Sequence, residues 1–301
     1  MFQKTQSIIM EDQKHLESII MAALSTLTPL QLTNLNHYSS SLYHRYHRRI
    51  FSLLSSPTLF SLTLHYLNSL SLHHKFVLIA CHLLSKLAIL VYFMQKKTIL
   101  PPPTTTTMNL RDLDAVLLLL LLCELRQHEP GALDAPPSHW RDILCDYVAQ
   151  DMLKLSSIES SKSDVIIKFV ELVAKCKNFV NVMAYDVVEF GRSSRILDSA
   201  TGGEGKDSKK LATSVAVVVA LPSVEVLSGS ERECVICKEE MREGRDVCKL
   251  PCDHIFHWKC ILPWLKKMNT CPCCRFQLPS DDVLAEIQRL WEMLAKMSGA
   301  T

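Results

Sequence analysis

The stretch CVICKEEMREGRDVCKLPCDHIFHWKCILPWLKKMNTCPCC, residues 234–274, holds eight of the chain's twelve cysteines and two of its twelve histidines. Its side chains with metal affinity run Cys234-x2-Cys237, fourteen residues, Cys252-x-His254-x2-His257-x2-Cys260, ten residues, Cys271-x2-Cys274. Zinc takes four N/S ligands at tetrahedral corners, with sulfurs roughly 3.8 Å apart for a Zn–S bond of ~2.3 Å. A Cys-x2-Cys turn can set two thiolates at that separation, and a second pair must come from elsewhere to close the shell. Four such pairs can fill two sites in sequence or by alternation. Spacing alone does not choose between them. Cys248 and Cys273 are left over. Pairing Cys273 with Cys271 would shorten the turn to one intervening residue, so both are read as non-ligands.

Away from this cluster the cysteines stand singly, at Cys81, Cys123, Cys145 and Cys176. No positive n-region, short apolar core and small-residue cleavage site opens the chain, so secretion and a disulfide framework are not expected. In a reducing compartment a dense Cys/His cluster reads as metal. The apolar share of 48% is ample for a core of normal size. A formal net charge of +2 over 301 residues points to no nucleic-acid partner.

Charge is uneven along the chain. From Ser18 to Arg111 there is no Asp or Glu, against eight basic residues: Arg45, Arg48, Arg49, Lys75, Lys86, Lys96, Lys97 and Arg111. Acid-poor sequence with Arg and Ser is how transit peptides are composed. It also suits a surface lying against anionic lipid. A helical domain with a basic solvated face accounts for it equally well.

Helix punctuation divides the first half. Thr28-Pro29-Leu30-Gln31 is a capping box with proline at the first helical position. Ser56-Pro57 repeats the signal before a helix over Thr58–Leu70, and a third is expected over Leu72–Gln95. Asn109 caps Leu110–Gln127, stopped by Pro130-Gly131. Ser138 caps a helix through Leu155, and Asp164–Val180 forms another. Thr213–Ala220 reads as a small-residue helix ended by Leu221-Pro222. Ser280 caps a last helix with Asp281 and Asp282 in its first turn. Val283, Ile287, Leu290, Leu294 and Met297 recur at four- and three-residue steps, the seam of a coiled coil. That seam allows a homodimer, but packing on the chain's own helices is the preferred reading.

Phe76–Met94 is nearly long enough to cross a bilayer but carries His82 and Lys86, and Ala115–Cys123 is far too short. No spanning helix is expected. The chain thus divides into an acid-poor helical region (1–100), a Pro/Thr linker (101–109) and a second helical region (110–190). A flexible linker (191–212), a short segment before the metal module (213–230), the module itself (231–279) and a C-terminal helix (280–298) follow.

The order and spacing of the eight ligands resemble a RING finger of the H2 type, the metal module of a large class of ubiquitin ligases. A PHD finger would have Cys where His254 stands. The resemblance implies a cross-brace, in which the first and third ligand pairs share one zinc and the second and fourth the other. One site is then Cys234, Cys237, His257 and Cys260, and the other Cys252, His254, Cys271 and Cys274. The fold expected is mainly α, an N-terminal helical region followed by a small two-zinc domain and a C-terminal helix. Residues 231–301 carry eleven basic and eleven acidic side chains. Six metal-bound thiolates and two Zn2+ shift that balance to about −2, which makes a poor phosphate binder.

The resemblance also assigns the rim. Ile236, Trp264 and Pro272 match positions where RING ligases grip a ubiquitin-conjugating enzyme (E2), and Arg275 matches the cation that bridges that enzyme and its thioester-linked ubiquitin. The activity implied is a RING-type E3 ubiquitin transferase without a covalent enzyme–ubiquitin intermediate. The rival is a non-catalytic adaptor. Beyond the ring, the runs Arg111–Val116, Cys234–Met241, His257–Leu265, Arg275–Pro279 and Glu286–Glu292 resemble plant ligases of the amyloplast. This implies peripheral residence at that plastid, a part in gravity sensing, and a ring facing the cytosol, where the ubiquitin machinery works.

Overall fold

The computed structural model describes residues 2–94, 108–156, 162–195, 211–226, 233–241 and 246–299. The expected Pro/Thr linker, except for Met108 and Asn109, and residues 196–210 of the expected flexible linker lie outside them. The described residues fall into two compact units. One contains the helices up to residue 195 together with the chain from Leu290, and the other contains residues 211 to Arg289.

The helical unit is built from α1 (Phe2–Leu24), α2 (Pro29–Ser55), α3 (Pro57–Ser69), α4 (Leu72–Met94), α5 (Leu110–His128), α6 (Trp140–Ser156) and α7 (Lys162–Arg195). Caps set several starts. Thr28 Oγ1 accepts from Gln31 N while the Gln31 side chain accepts from Thr28 N, and Pro29 opens α2. The Gln31 amide also donates to the Phe93 carbonyl at 2.9 Å, tying the start of α2 to the end of α4. Ser56 caps α3 through Leu59 N, and Asn109 caps α5 through Asp112 N.

α7 packs on α1, α2 and α4, and α5 on α2, α3 and α6. One core gathers Leu53, Phe60, Leu67, Leu118, Leu125 and Leu144 from α2, α3, α5 and α6. Along α4, Phe76, Ile79, Leu83, Leu87 and Leu90 are fully buried. By length and hydropathy α4 could cross a bilayer, yet more than half of its apolar window is packed inside the chain. Several polar groups in this interior are partnered, whereas Asn36 Oδ1 and Ser39 Oγ on α2 are buried without a hydrogen-bond partner. Asp114 accepts a two-pronged pair of hydrogen bonds from the Arg49 guanidinium. His82 lies 3.4 Å from the Tyr46 hydroxyl, and the Lys86 ammonium sits over the Tyr46 ring.

Some boundaries differ from the sequence expectations. α6 begins at Trp140, after a turn in which His139 N donates to Pro136 O at 2.9 Å and Trp140 N to Pro137 O at 3.3 Å. α7 extends past Val180 and through Gly191 to Arg195, since one helical glycine costs only about 1 kcal/mol.

The second unit holds a short helix, α8 (Val215–Ala220), a three-stranded antiparallel sheet, and α9 (Trp258–Leu265). The sheet runs β1 (Ser223–Val224), β2 (Val247–Lys249), β3 (Ile255–His257), with Ser223 opposite Cys248 and Cys248 opposite Phe256. The last helix, α10 (Val283–Met297), is capped by Asp282 instead of Ser280. The Asp282 carboxylate reaches the amides of Leu284 and Ala285 at 3.1 and 3.0 Å, and a carboxylate suits that helix end best. Of its apolar seam, Ile287, Leu290 and Leu294 are buried and Val283 and Met297 are half-buried.

Candidate metal centre

Two turns with the same backbone hold two of the four ligand pairs. In the first, Lys238 N donates to Cys234 O at 2.7 Å and Cys234 N to Glu239 O at 2.9 Å. In the second, Arg275 N donates to Cys271 O at 3.0 Å and Cys271 N to Phe276 O at 2.9 Å. Each turn is closed by one antiparallel bridge, Glu233 with Glu240 and Thr270 with Gln277. The residue after the second cysteine is left-handed in both, with φ 62° at Lys238 and 58° at Arg275. Neither is glycine, so each carries a strained backbone that the surrounding turn must hold.

The other pairs sit on the hairpin and α9. Asp253, with φ 67°, makes the tight turn between β2 and β3 that presents Cys252 and His254. Its amide donates to Leu250 O, and Leu250 N donates to His254 O, both at 2.9 Å. His257 ends β3, and Cys260 lies in the first turn of α9.

These segments bring the ligand atoms together in two sets, Cys234/Cys237/His257/Cys260 and Cys252/His254/Cys271/Cys274, each with its donor atoms within 4.8 Å of one another. Alternate pairs therefore combine, as the cross-brace requires. Cys237 Sγ lies 3.4 Å from His257 Nδ1, and Cys252 Sγ lies 3.4 Å from His254 Nδ1. That is close to the roughly 3.5 Å edge between sulfur and nitrogen on a tetrahedral zinc. Cys248 and Cys273 belong to neither set. Cys248 is buried in the apolar core with Phe256, Ile261, Leu265 and Leu278.

The electrostatics of the sets call for a cation. Burial opposes charge on Cys234, but the amides of Cys237, His257 and Ile236 outweigh it and bring the thiol down to about 6. Its neighbour Cys260 is pushed up to about 12 by desolvation and by the thiols of Cys237 and Cys234. In the other set, burial pushes Cys252 up to about 12. Three sulfurs this close cannot all be thiolates without a positive charge between them. A soft divalent ion fits such donors.

On the outside, Ile236 is 39% and Trp264 38% exposed, Arg275 is exposed, and Pro272 is half-buried. The indole N–H of Trp264 donates to Thr270 O at 2.7 Å, linking the end of α9 to the second turn. Three further apolar side chains in the same segments are exposed and were missed in the sequence: Val235, Leu262 and Phe276. Their positions beside Ile236, Trp264 and Arg275 were the available signal.

Comparison with known proteins places this arrangement. Residues 232–275 match the Ring finger domain family. The E3 ubiquitin-protein ligase RING1-like of Arabidopsis thaliana is 45% identical over 73 residues, which are 23% of this chain and 22% of that one. The E3 ubiquitin-protein ligase RNF181 of Rattus norvegicus is 48% identical over 68 residues, 22% of this chain and 41% of that one. The similarity to E3 ubiquitin-protein ligase SGR9, amyloplastic, of Arabidopsis thaliana extends well beyond the ring. It is 48% identical over 295 residues, 96% of this chain and 98% of the relative. No solved structure matches. With two Cys/His sets in cross-brace order and a likeness running nearly end to end along a named ligase, the chain belongs to the RING-type E3 ubiquitin-protein ligases.

Proposed function

We propose that this ligase binds one Zn2+ in each Cys3His set, docks a ubiquitin-charged E2 on the rim formed by Ile236, Trp264 and Pro272, and uses Arg275 to hold the charged pair in its reactive arrangement. Zinc at a site with four protein ligands has no open position for water, so it supplies shape and folding energy. The side chains outside the ligand sets do the rest. An apolar rim with a tryptophan anchor is the type of surface that concentrates binding energy. Arginine offers a planar fork of donors for two carbonyl-rich surfaces at once. A substrate lysine amine then attacks the thioester, forming the isopeptide bond as the E2 thiol leaves. The rate gain comes from orientation.

One observation carries this reading: the donor atoms face one another in closed sets, while the apolar and cationic side chains on the same turns face solvent. The charge balance of the module supports a protein partner over nucleic acid. For location, the amyloplastic relative from Arabidopsis supports association with that plastid, and the ring would face the cytosol, where the ubiquitin machinery works. The acid-free stretch from Ser18 to Arg111 suits contact with an anionic surface, and the gravity response is the role the resemblance implies.

Arg275→Ala tests the assignment. The variant is expected to keep its affinity for the charged E2 and to lose stimulated discharge to free lysine by ten- to a hundredfold, as expected for losing about 1.4–3 kcal/mol of transition-state stabilisation. Unchanged discharge would remove Arg275 from the mechanism. Absent discharge in the parent chain would favour the adaptor reading.

A further inference from the structure

The family match begins at residue 232, yet the ring's core does not. Val217, Leu221 and Val226 are buried in the same apolar cluster as Phe256, Ile261, Leu265 and Leu278. β1 adds a third strand on the β2 edge, and Lys249 N donates to Pro222 O at 3.1 Å. Residues 213–226 therefore run across the module as a strap. One end is fixed to the sheet, and the other reaches α9.

At that far end the strap meets a specific need. A helix leaves its last carbonyls without partners inside the helix. In α9 the Leu262 carbonyl takes Lys266 N, and the Trp264 carbonyl takes Lys267 N and Met268 N. The Leu265 carbonyl is taken by Thr213 N at 2.9 Å. The Thr213 hydroxyl donates to Met268 O at 3.1 Å, and Ser214 N donates to Pro279 O at 2.9 Å. Thr213 is only 5% exposed, so water does not replace these bonds.

The segment clamped in this way, Leu265 to Met268, lies between Trp264 and the second cysteine turn. Beyond it, Asn269 exchanges hydrogen bonds with Leu278, and Thr270 O receives the Trp264 indole. The orientation of Trp264 thus depends on a backbone path held on one side by Thr213.

We infer that Thr213 is a positioning residue for E2 docking: by capping the end of α9 from outside the ring, it fixes the path that aims Trp264. The inference rests on Trp264 being a docking residue, and the working ligase module then begins at Thr213 instead of residue 232.

The test uses the full chain with three variants, measuring discharge of ubiquitin-charged E2 against E2 concentration, and zinc content in parallel. Thr213→Val keeps shape and the backbone N–H but deletes the donor to Met268 O. It should raise KM for the charged E2 about five- to tenfold, the scale of one buried carbonyl left unpaired, with kcat little changed and both zincs retained. Thr213→Ser should restore KM. Trp264→Ala serves as the reference and should raise KM at least as much. If Trp264→Ala raises KM and Thr213→Val does not, the positioning role is overturned while the docking reading stands. If Thr213→Val loses zinc along with activity, the strap is only structural and the inference also fails. An unchanged KM for Trp264→Ala would remove the docking reading and this inference with it.

Discussion

The helical unit and the ring module keep their folds by different means. In the helical unit, long helices bury rows of leucine, and the interior carboxylate of Asp114 is paired with Arg49. The ring has short strands, one eight-residue helix and a small apolar cluster in which three of the thirteen buried residues are cysteines. So small a core would leave much of the folding free energy to a metal held by the two Cys/His sets. On the proposed reading, the ring should be switched off chemically while the helices persist.

Chelation probes that difference with the largest expected effect. Structural zinc contributes on the order of 10 kcal/mol of folding free energy per site. A strong chelator should abolish amide-exchange protection across residues 233–279 while α2 to α5 keep theirs, and added zinc should restore it. Loss of protection in both units together would break the comparison.

Acid acts on both units by different routes, and the effect is smaller. In the ring, protons compete with the metal for His and Cys, so excess zinc should offset mild acid there. In the helical unit the sensitive group is His82, which burial, aided by Lys86, lowers from 6.5 to about 3. Because the folded value lies below the unfolded one, the unfolded chain takes up a proton between pH 6.5 and about 3 that the folded chain refuses. Stability therefore falls as pH drops through that window, by about 2 kcal/mol at pH 5. Denaturant melts should show this slope with or without added zinc, and His82→Leu should flatten it. A slope that persists in His82→Leu would place the proton uptake elsewhere.

The same contrast explains what could be read from the sequence. Cap signals at Thr28, Ser56 and Asn109 are local chemistry, and each appears as a hydrogen bond. The eight ligands were legible because metal geometry demands fixed residue types at fixed spacing. The left-handed Lys238, Asp253 and Arg275 were not, since nothing in a lysine or arginine side chain announces φ above zero. Strands of two or three residues are too short for alternation to register. The role of Thr213 was hidden for another reason: its partners lie more than fifty residues ahead, on carbonyls that carry no sequence signal.

The smallest expected effect tests how local the helical unit's stability is. Thr28→Ala deletes the side-chain acceptor for Gln31 N and should cost about 1 kcal/mol, seen as a lower denaturation midpoint of the helices with zinc content unchanged. Thr28→Ser should recover most of it. Gln31 complicates the result in a useful way, because its amide also holds the Phe93 carbonyl of α4. If losing the cap lets Gln31 drift, that distant bond goes too, and the cost rises above 2 kcal/mol. A cost near 1 kcal/mol makes the cap an independent part, whereas the larger value means the start of α2 and the end of α4 melt as one.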